Sequence, residues 1–195
     1  MTTASRQDAF AILDMEWTTW KGAWARGWTG PGEFREVVEI GMTMVTDDND
    51  ICEIGSYRTL IKPIINPELS GYFIDLTGIR QDDVDAHGIT LAEALKGMTE
   101  FLGGPDVLVY SHGRDGIHLR DNCVRIGTPF TFKDSRFINL NETIANFLER
   151  PKASYTSSDL PELMNFQPPG EAHTAVADCR CIAEALRILR AAGRF

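Results

Sequence analysis

Residues 8–16 read Asp8-Ala-Phe-Ala-Ile-Leu-Asp14-Met15-Glu16, a short apolar run closed by two acids. A run this short, ending in acid, fits a buried strand. Residues two apart on a strand project to the same side, so Asp14 and Glu16 leave one face at its end, with Phe10 and Ile12 behind them. Two acids so placed face desolvation and mutual repulsion unless something offsets them. A divalent cation is the natural partner, because hard cations take oxygen ligands. Two solvated acids at a strand exit would leave the same residues, so this pair alone decides nothing.

The pattern around this strand sets the fold class. Over 36–45, Val38, Ile40, Met42 and Met44 alternate with Glu39 and Thr43, the period of a half-buried strand. A turn cluster fills 46–50, and a further strand over about 56–61 stops at Pro63, completing three antiparallel strands. Helices and strands then alternate. A helical turn is expected over 77–84. Thr90 and Glu93 have capping-box spacing, with a helix to about Leu102. Residues 107–110 read as a strand, 116–126 as a helix, 137–140 as a strand, and 141–149 and 158–164 as helices. The last helix spans about 175–192, with Cys179, Ile182, Leu186 and Leu189 on one stripe. The expected architecture is an α/β mixed sheet, three antiparallel strands then parallel ones, flanked by helices. One domain is expected over 8–192, with residues 1–7 a flexible N-terminus.

Composition limits the partners. The chain has 195 residues, 43% of them hydrophobic, long enough for a full core. Its formal net charge is −9, which excludes broad, charge-driven coating of nucleic acid. Cys52, Cys123, Cys179 and Cys181 form no CxxC pair, so no zinc site is expected. Residues 1–7 carry no apolar signal core, and no apolar stretch approaches the roughly 20 residues of a membrane helix. The expectation is a soluble cytoplasmic protein with reduced thiols and no membrane partner.

Two more segments carry chemistry. His173-Thr-Ala-Val-Ala-Asp178 opens the last helix, with Asp178 in its first turns and His173 in the loop before it. A spacing of five does not share a helical face; it suits one ligand on the helix and one base at its mouth, or simply a capping pair. Asp115 follows a predicted parallel strand and opens a helix, where α/β ligand sites cluster and where an ordinary cap would also lie. Together, Asp14, Glu16, Asp115 and Asp178 could hold two cations roughly 3.5–4 Å apart, with His173 as a proton acceptor.

Ile12-Leu13-Asp14-Met15-Glu16, then Asp115, then His173 to Asp178, resemble the three motifs of the DEDDh 3′→5′ exonucleases, which have an RNase H-like fold. Glu39-Ile40-Gly41 and Leu76-Thr77-Gly78-Ile79 with Asp82-Asp83-Val84 match secondary marks of that family. Ser111-His112-Gly113, Asn122-Cys123 and Asn139-Leu140 resemble the branch of Eri-type and histone-mRNA 3′-end exonucleases. The resemblance covers about residues 10–190. It implies two Mg²⁺ or Mn²⁺ ions on Asp14, Glu16, Asp115 and Asp178, and His173 as general base. It implies that Met15, Trp17, Thr18 and His112 line the nucleotide pocket. The implied substrate is a single-stranded nucleic acid, RNA favoured over DNA, releasing nucleoside 5′-monophosphates from the 3′ end. A DNA exonuclease of proofreading or repair type is the close alternative. A phosphatase for small nucleotides shares the metals. A non-catalytic binding domain would be expected to lack one of the five residues. Many members of the family are dimers, so a homodimer is a further expectation, with no interface legible in the sequence.

One segment goes beyond a short family-type loop. Residues 17–35 hold all four tryptophans, Trp17, Trp20, Trp24 and Trp28, and Lys21, Arg26 and Arg35 against Glu33. Aromatic faces with interleaved cations suit a single strand, whose bases stack and whose phosphates pair. The spacing also permits a helical stripe covering the sheet or a partner chain. Arg180, Arg187, Arg190 and Arg194 read as a solvated basic face, His87 and His118 as polar surface residues, and Cys179 and Cys181 as one core and one flank position.

Overall fold

The computed structural model describes residues 9–152 and 154–195; the stretch 1–7 expected to be flexible, and the first residue of the expected domain, lie outside the described residues. Strand β1 (Ala9–Trp17) is the middle of a five-stranded sheet. It pairs antiparallel with β2 (Val37–Thr46), which pairs antiparallel with β3 (Glu53–Leu60). On its other edge β1 pairs parallel with β4 (Val109–Ser111), and β4 parallel with β5 (Phe137–Asn139). The order β3-β2-β1-β4-β5 is the mixed sheet expected from the alternating pattern. Asp14 lies opposite Gly41 and Glu16 opposite Glu39, and the β1–β2 register shifts between Glu16 and Trp17.

Seven helices flank this sheet among the described residues: α1 (Gly71–Thr77), α2 (Gln81–His87), α3 (Leu91–Leu102), α4 (Asp115–Ile126), α5 (Asn141–Leu148), α6 (Leu160–Met164) and α7 (Ala175–Ala191). The capping box at α3 forms as its spacing requires: Thr90 Oγ1 accepts from the Glu93 N–H, and the Glu93 carboxylate accepts from the Thr90 N–H. The single turn expected over 77–84 is instead the junction of α1 and α2. Gly78, at φ 71°, ends α1 in the left-handed region, which glycine enters without a Cβ clash.

Strand β2 is buried along its whole length, not half-buried, because helices cover both of its faces. Ile40, Met42 and Met44 pack with Leu95, Met98 and Leu102 of α3. On the opposite face, α7 lies directly on the strand. The fully buried Glu39 accepts the Ala175 N–H with one carboxylate oxygen (2.9 Å) and the Arg58 Nε–H with the other (2.6 Å). A Cβ on Gly41 would lie 2.5 Å from the Ala175 carbonyl carbon and 2.6 Å from the Val176 nitrogen. Only a residue without a side chain lets the first turn of α7 come this close to the sheet.

The basic face of α7 is a staple rather than a solvated surface. Arg180 pairs with Glu53 (2.8 Å), Arg190 with Asp47 (2.8 Å), and Arg187 donates to the carbonyls of Asp50 and Ile51. These bonds tie the β2–β3 turn to the helix. Cys179 and Cys181 are both buried, so the expected division into core and flank does not hold.

Gly41→Ala is expected to destabilise the protein by about 1–3 kcal/mol, the usual cost of overpacking. Urea unfolding of the variant checks this; an unchanged midpoint would mean that α7 shifts freely on the sheet.

Candidate active site

The C-terminal ends of the parallel strands β1 and β4 open onto a cleft of about 550 Å³. Strand alternation sends Asp14 and Glu16 to its floor, the β4–α4 junction supplies Asp115, and the first turns of α7 supply Asp178. Asp115 and Asp178 are 6% and 2% exposed, so both carboxylates are nearly dry. His173 sits on the same wall, its backbone in the left-handed region at φ 58°. Ligand-capable atoms of Glu16, His173 and Asp178 lie within 4.8 Å of one another.

Crowding shows in the protonation of these groups. Burial, then the charges of Asp178, Asp115 and Glu16, holds Asp14 well above the usual carboxylate range. Burial and the charges of Asp178 and Glu39 do the same to Glu16. Burial pushes Asp115 up to about 6 against an opposing bond from the Ser111 hydroxyl, and Asp178 up to about 6 against an opposing bond from Ser158. None of the ion pairs among the described residues involves any of the four. Four converging carboxylates with no contact ion pair among the described residues are an all-oxygen, negatively charged donor set, the chemistry that hard divalent cations fit.

Two hydroxyl groups complete the floor. Ser157 Oγ donates to Asp14 (3.2 Å), and Ser158 Oγ donates to Asp178 at 2.9 Å from both oxygens while lying 3.4 Å from His173 Nδ1. No motif marks these serines. The one local signal is the capping box of Thr156 with Asp159, which folds them into a 3₁₀ turn under the cleft.

Met15, Trp17 and His112 all reach the cleft wall, and Thr18 does not. The buried Thr18 hydroxyl donates to the Phe34 carbonyl (2.7 Å) and accepts the Glu36 N–H (3.0 Å), tying down the two ends of the Trp-rich segment. His112 stacks on Tyr155 at 5.1 Å, and burial pushes its pKa down to about 4, so it is neutral at physiological pH. His118 is not a surface residue: its ring meets Trp17 edge-on at 5.2 Å and its Nε2 lies 3.2 Å from Arg35 Nη1. Trp17 closes β1, and residues 18–35 run through successive turns, not a helix, beyond it. Trp24 and Trp28 line the cleft, and Trp20 does not. Arg26 is occupied by Glu33 within this segment.

The chain has relatives of known family and fold. The exonuclease family model RNase_T matches residues 11–186. Proteins named 3′-5′ exoribonuclease 1 from Homo sapiens and Rattus norvegicus are 26% and 25% identical over 198 residues, covering 95% of this chain and 54% of theirs. The chain thus spans about half the length of these curated relatives. A 3′-exonuclease solved in a study of 3′-end specific recognition of a histone mRNA stem-loop superposes with a TM-score of 0.78 at 21% identity, over 95% of this chain and 64% of the other. The nuclease domain of 3′hExo, a DEDDh family member bound to rAMP, superposes with a TM-score of 0.77 at 23% identity, over 95% and 93%. These likenesses show a shared RNase H-like fold.

Raised carboxylate pKa values have a sign. In the metal-free protein, each raised group costs no stability below its unfolded pKa of about 3.8 and costs progressively more as pH rises through about 6. Metal-free stability is therefore expected to fall between pH 4 and pH 7 on account of the cluster. Asp14→Asn should raise metal-free stability at pH 8 by about 1 kcal/mol or more, since one pKa unit is worth about 1.4 kcal/mol. Thermal melting in chelator checks both; an Asp14→Asn protein that melts lower than the native one contradicts the repulsion.

Proposed function

Since the chain belongs to the exonuclease family of the RNase_T model, with the DEDDh set of Asp14, Glu16, Asp115, His173 and Asp178, we propose that it is a metal-dependent 3′→5′ exonuclease acting on single-stranded nucleic acid, RNA in preference to DNA. The observation that carries this reading is the convergence on one cleft of His173 and four carboxylates, none of them ion-paired among the described residues. The preference for RNA rests on the curated relatives, which are named as exoribonucleases.

In this reading Asp14, Glu16, Asp115 and Asp178 would hold two divalent cations, Mg²⁺ or Mn²⁺. When bound, such a pair supplies Lewis-acid activation of water and charge stabilisation at the leaving oxygen. The chain's own residues do the rest. Met15 and Trp17 seat the terminal nucleotide against the floor. A water oxygen bonds to the terminal phosphorus as the bond to the upstream O3′ breaks, freeing a nucleoside 5′-monophosphate and a new 3′-hydroxyl end. His173 takes the water's proton. Its Nδ1 faces Ser158, which leaves Nε2 for the transfer. Burial lowers the His173 pKa, so the ring is neutral and ready to accept at physiological pH. Ser158 bridges His173 and Asp178 and so fixes both side chains relative to one another.

A gel with 5′-labelled single-stranded RNA and DNA of equal sequence tests this in Mg²⁺, Mn²⁺ or chelator. The expected result is a ladder shortening from the 3′ end, metal-dependent and faster on RNA; no shortening of either strand with either metal would overturn it. His173→Ala should lower turnover about 10²–10⁴-fold, the usual contribution of a positioned base. Calorimetry should find metal affinity largely retained in this variant; a collapse in affinity would make His173 a ligand instead.

A further inference from the structure

We infer that Arg35, Trp24 and Trp28 form a seat for the phosphate and base of a second nucleotide, one step upstream of the terminal one. The inference rests on the nuclease reading above and adds to it a subsite built from the Trp-rich segment. Arg35 is the starting point. Its guanidinium lies 4.6 Å above the Trp28 ring and 5.6 Å from that of Trp17, on the wall of the carboxylate cleft. Arg26, Arg58, Arg120, Arg180, Arg187 and Arg190 all pair with carboxylates, yet none of the ion pairs among the described residues involves Arg35. One of its five N–H donors faces His118 Nε2 (3.2 Å), and burial keeps that imidazole neutral. This half-buried cation feels the charges of Asp115 and Asp121 but makes no contact ion pair among the described residues, so its open donors can take a further anion, and a guanidinium fork matches a phosphate in shape and charge. The mounting is firm, since the Arg35 carbonyl accepts from Asn122 Nδ2 (2.9 Å) and the rings hold the side chain.

The tryptophans supply the base platform. Trp24 is 59% exposed while lining the cleft, and it meets Trp28 edge-to-face at 5.8 Å. Its open indole face needs no rearrangement to stack a base. Trp28 holds a left-handed backbone, φ 55°, that is a true outlier for a bulky side chain. Two bonds maintain it, from its amide to the Ala23 carbonyl (2.9 Å) and from its Nε1 to the Thr18 carbonyl (3.2 Å). Strain held this way at a cleft is a mark of function. With the terminal nucleotide at Met15 and Trp17, the next phosphate meets Arg35 and the next base meets Trp24. Stacking of this kind tolerates any base and requires an unpaired strand.

The test compares two substrates on the full chain: a single-stranded tetranucleotide, and the p-nitrophenyl ester of thymidine 5′-monophosphate, which has a scissile phosphodiester but no second nucleotide. Trp24→Ala and Arg35→Gln should each lower the preference in kcat/KM for the tetranucleotide over the ester about tenfold, mainly through KM. Arg35→Gln should also flatten the slope of log KM for the tetranucleotide against log salt by about 0.7, the loss of one phosphate contact to a single strand. Lys21→Gln, in the same segment but outside the cleft, should leave the preference unchanged. Because Trp24 is exposed, its removal spares the core and keeps the test valid if Arg35→Gln fails to fold. Activity that falls equally on both substrates, or falls on neither, overturns the subsite while leaving the nuclease reading intact. Native protein inactive on both substrates overturns the nuclease reading and the subsite with it.

Discussion

Repulsion among four carboxylates brought together on one cleft is the constraint on which this structure turns. Asp14, Glu16, Asp115 and Asp178 come from three different elements, and each would be more stable in water. The rest of the fold holds them together against that tendency. Strand β1 is central, so Asp14 and Glu16 cannot drift to an edge. Gly41 lets α7 settle on β2, and Glu39 captures the helix's first free N–H, which fixes Asp178 beside them. Ser157 and Ser158 donate to two of the acids without neutralising them. The arrangement is stable only with the large apolar core around it, and it is primed for cations.

The proposed substrate is a polyanion although the chain as a whole is acidic, with a net charge of −9. The contradiction is resolved by location. Several arginines are occupied by carboxylates or carbonyls, as in the staple between α7 and the β2–β3 turn. Arg35 makes no contact ion pair among the described residues and is set among rings beside the cleft.

Much of this was legible in the sequence because it follows from period and spacing. The alternation of β1 puts Asp14 and Glu16 on one face, the Thr90–Glu93 box starts α3, and His173 to Asp178 straddles a helix start. What was not legible depends on long-range contact. The burial of β2 on both faces comes from α3 on one side and α7 on the other, the latter more than a hundred residues away. The roles of Ser157 and Ser158 depend on contacts with Asp14 and Asp178, which lie far from them in sequence or on another helix. Thr18 sits beside the site in sequence but its hydroxyl is spent on holding a loop, while His118, remote in sequence, is brought to the wall by α4. The spacing of the tryptophans allowed a helix; Gly22, Gly27 and Gly32, all at positive φ, make that segment a series of turns instead.

The central claim is that these four carboxylates are a two-cation site. A crystal structure of the protein grown with Mn²⁺, with anomalous data at the manganese edge, tests it most directly. The account predicts two anomalous peaks roughly 3.5–4 Å apart, bounded by Asp14, Glu16, Asp115 and Asp178. A cleft without any anomalous peak at saturating Mn²⁺, or peaks bound only elsewhere on the surface, would contradict it.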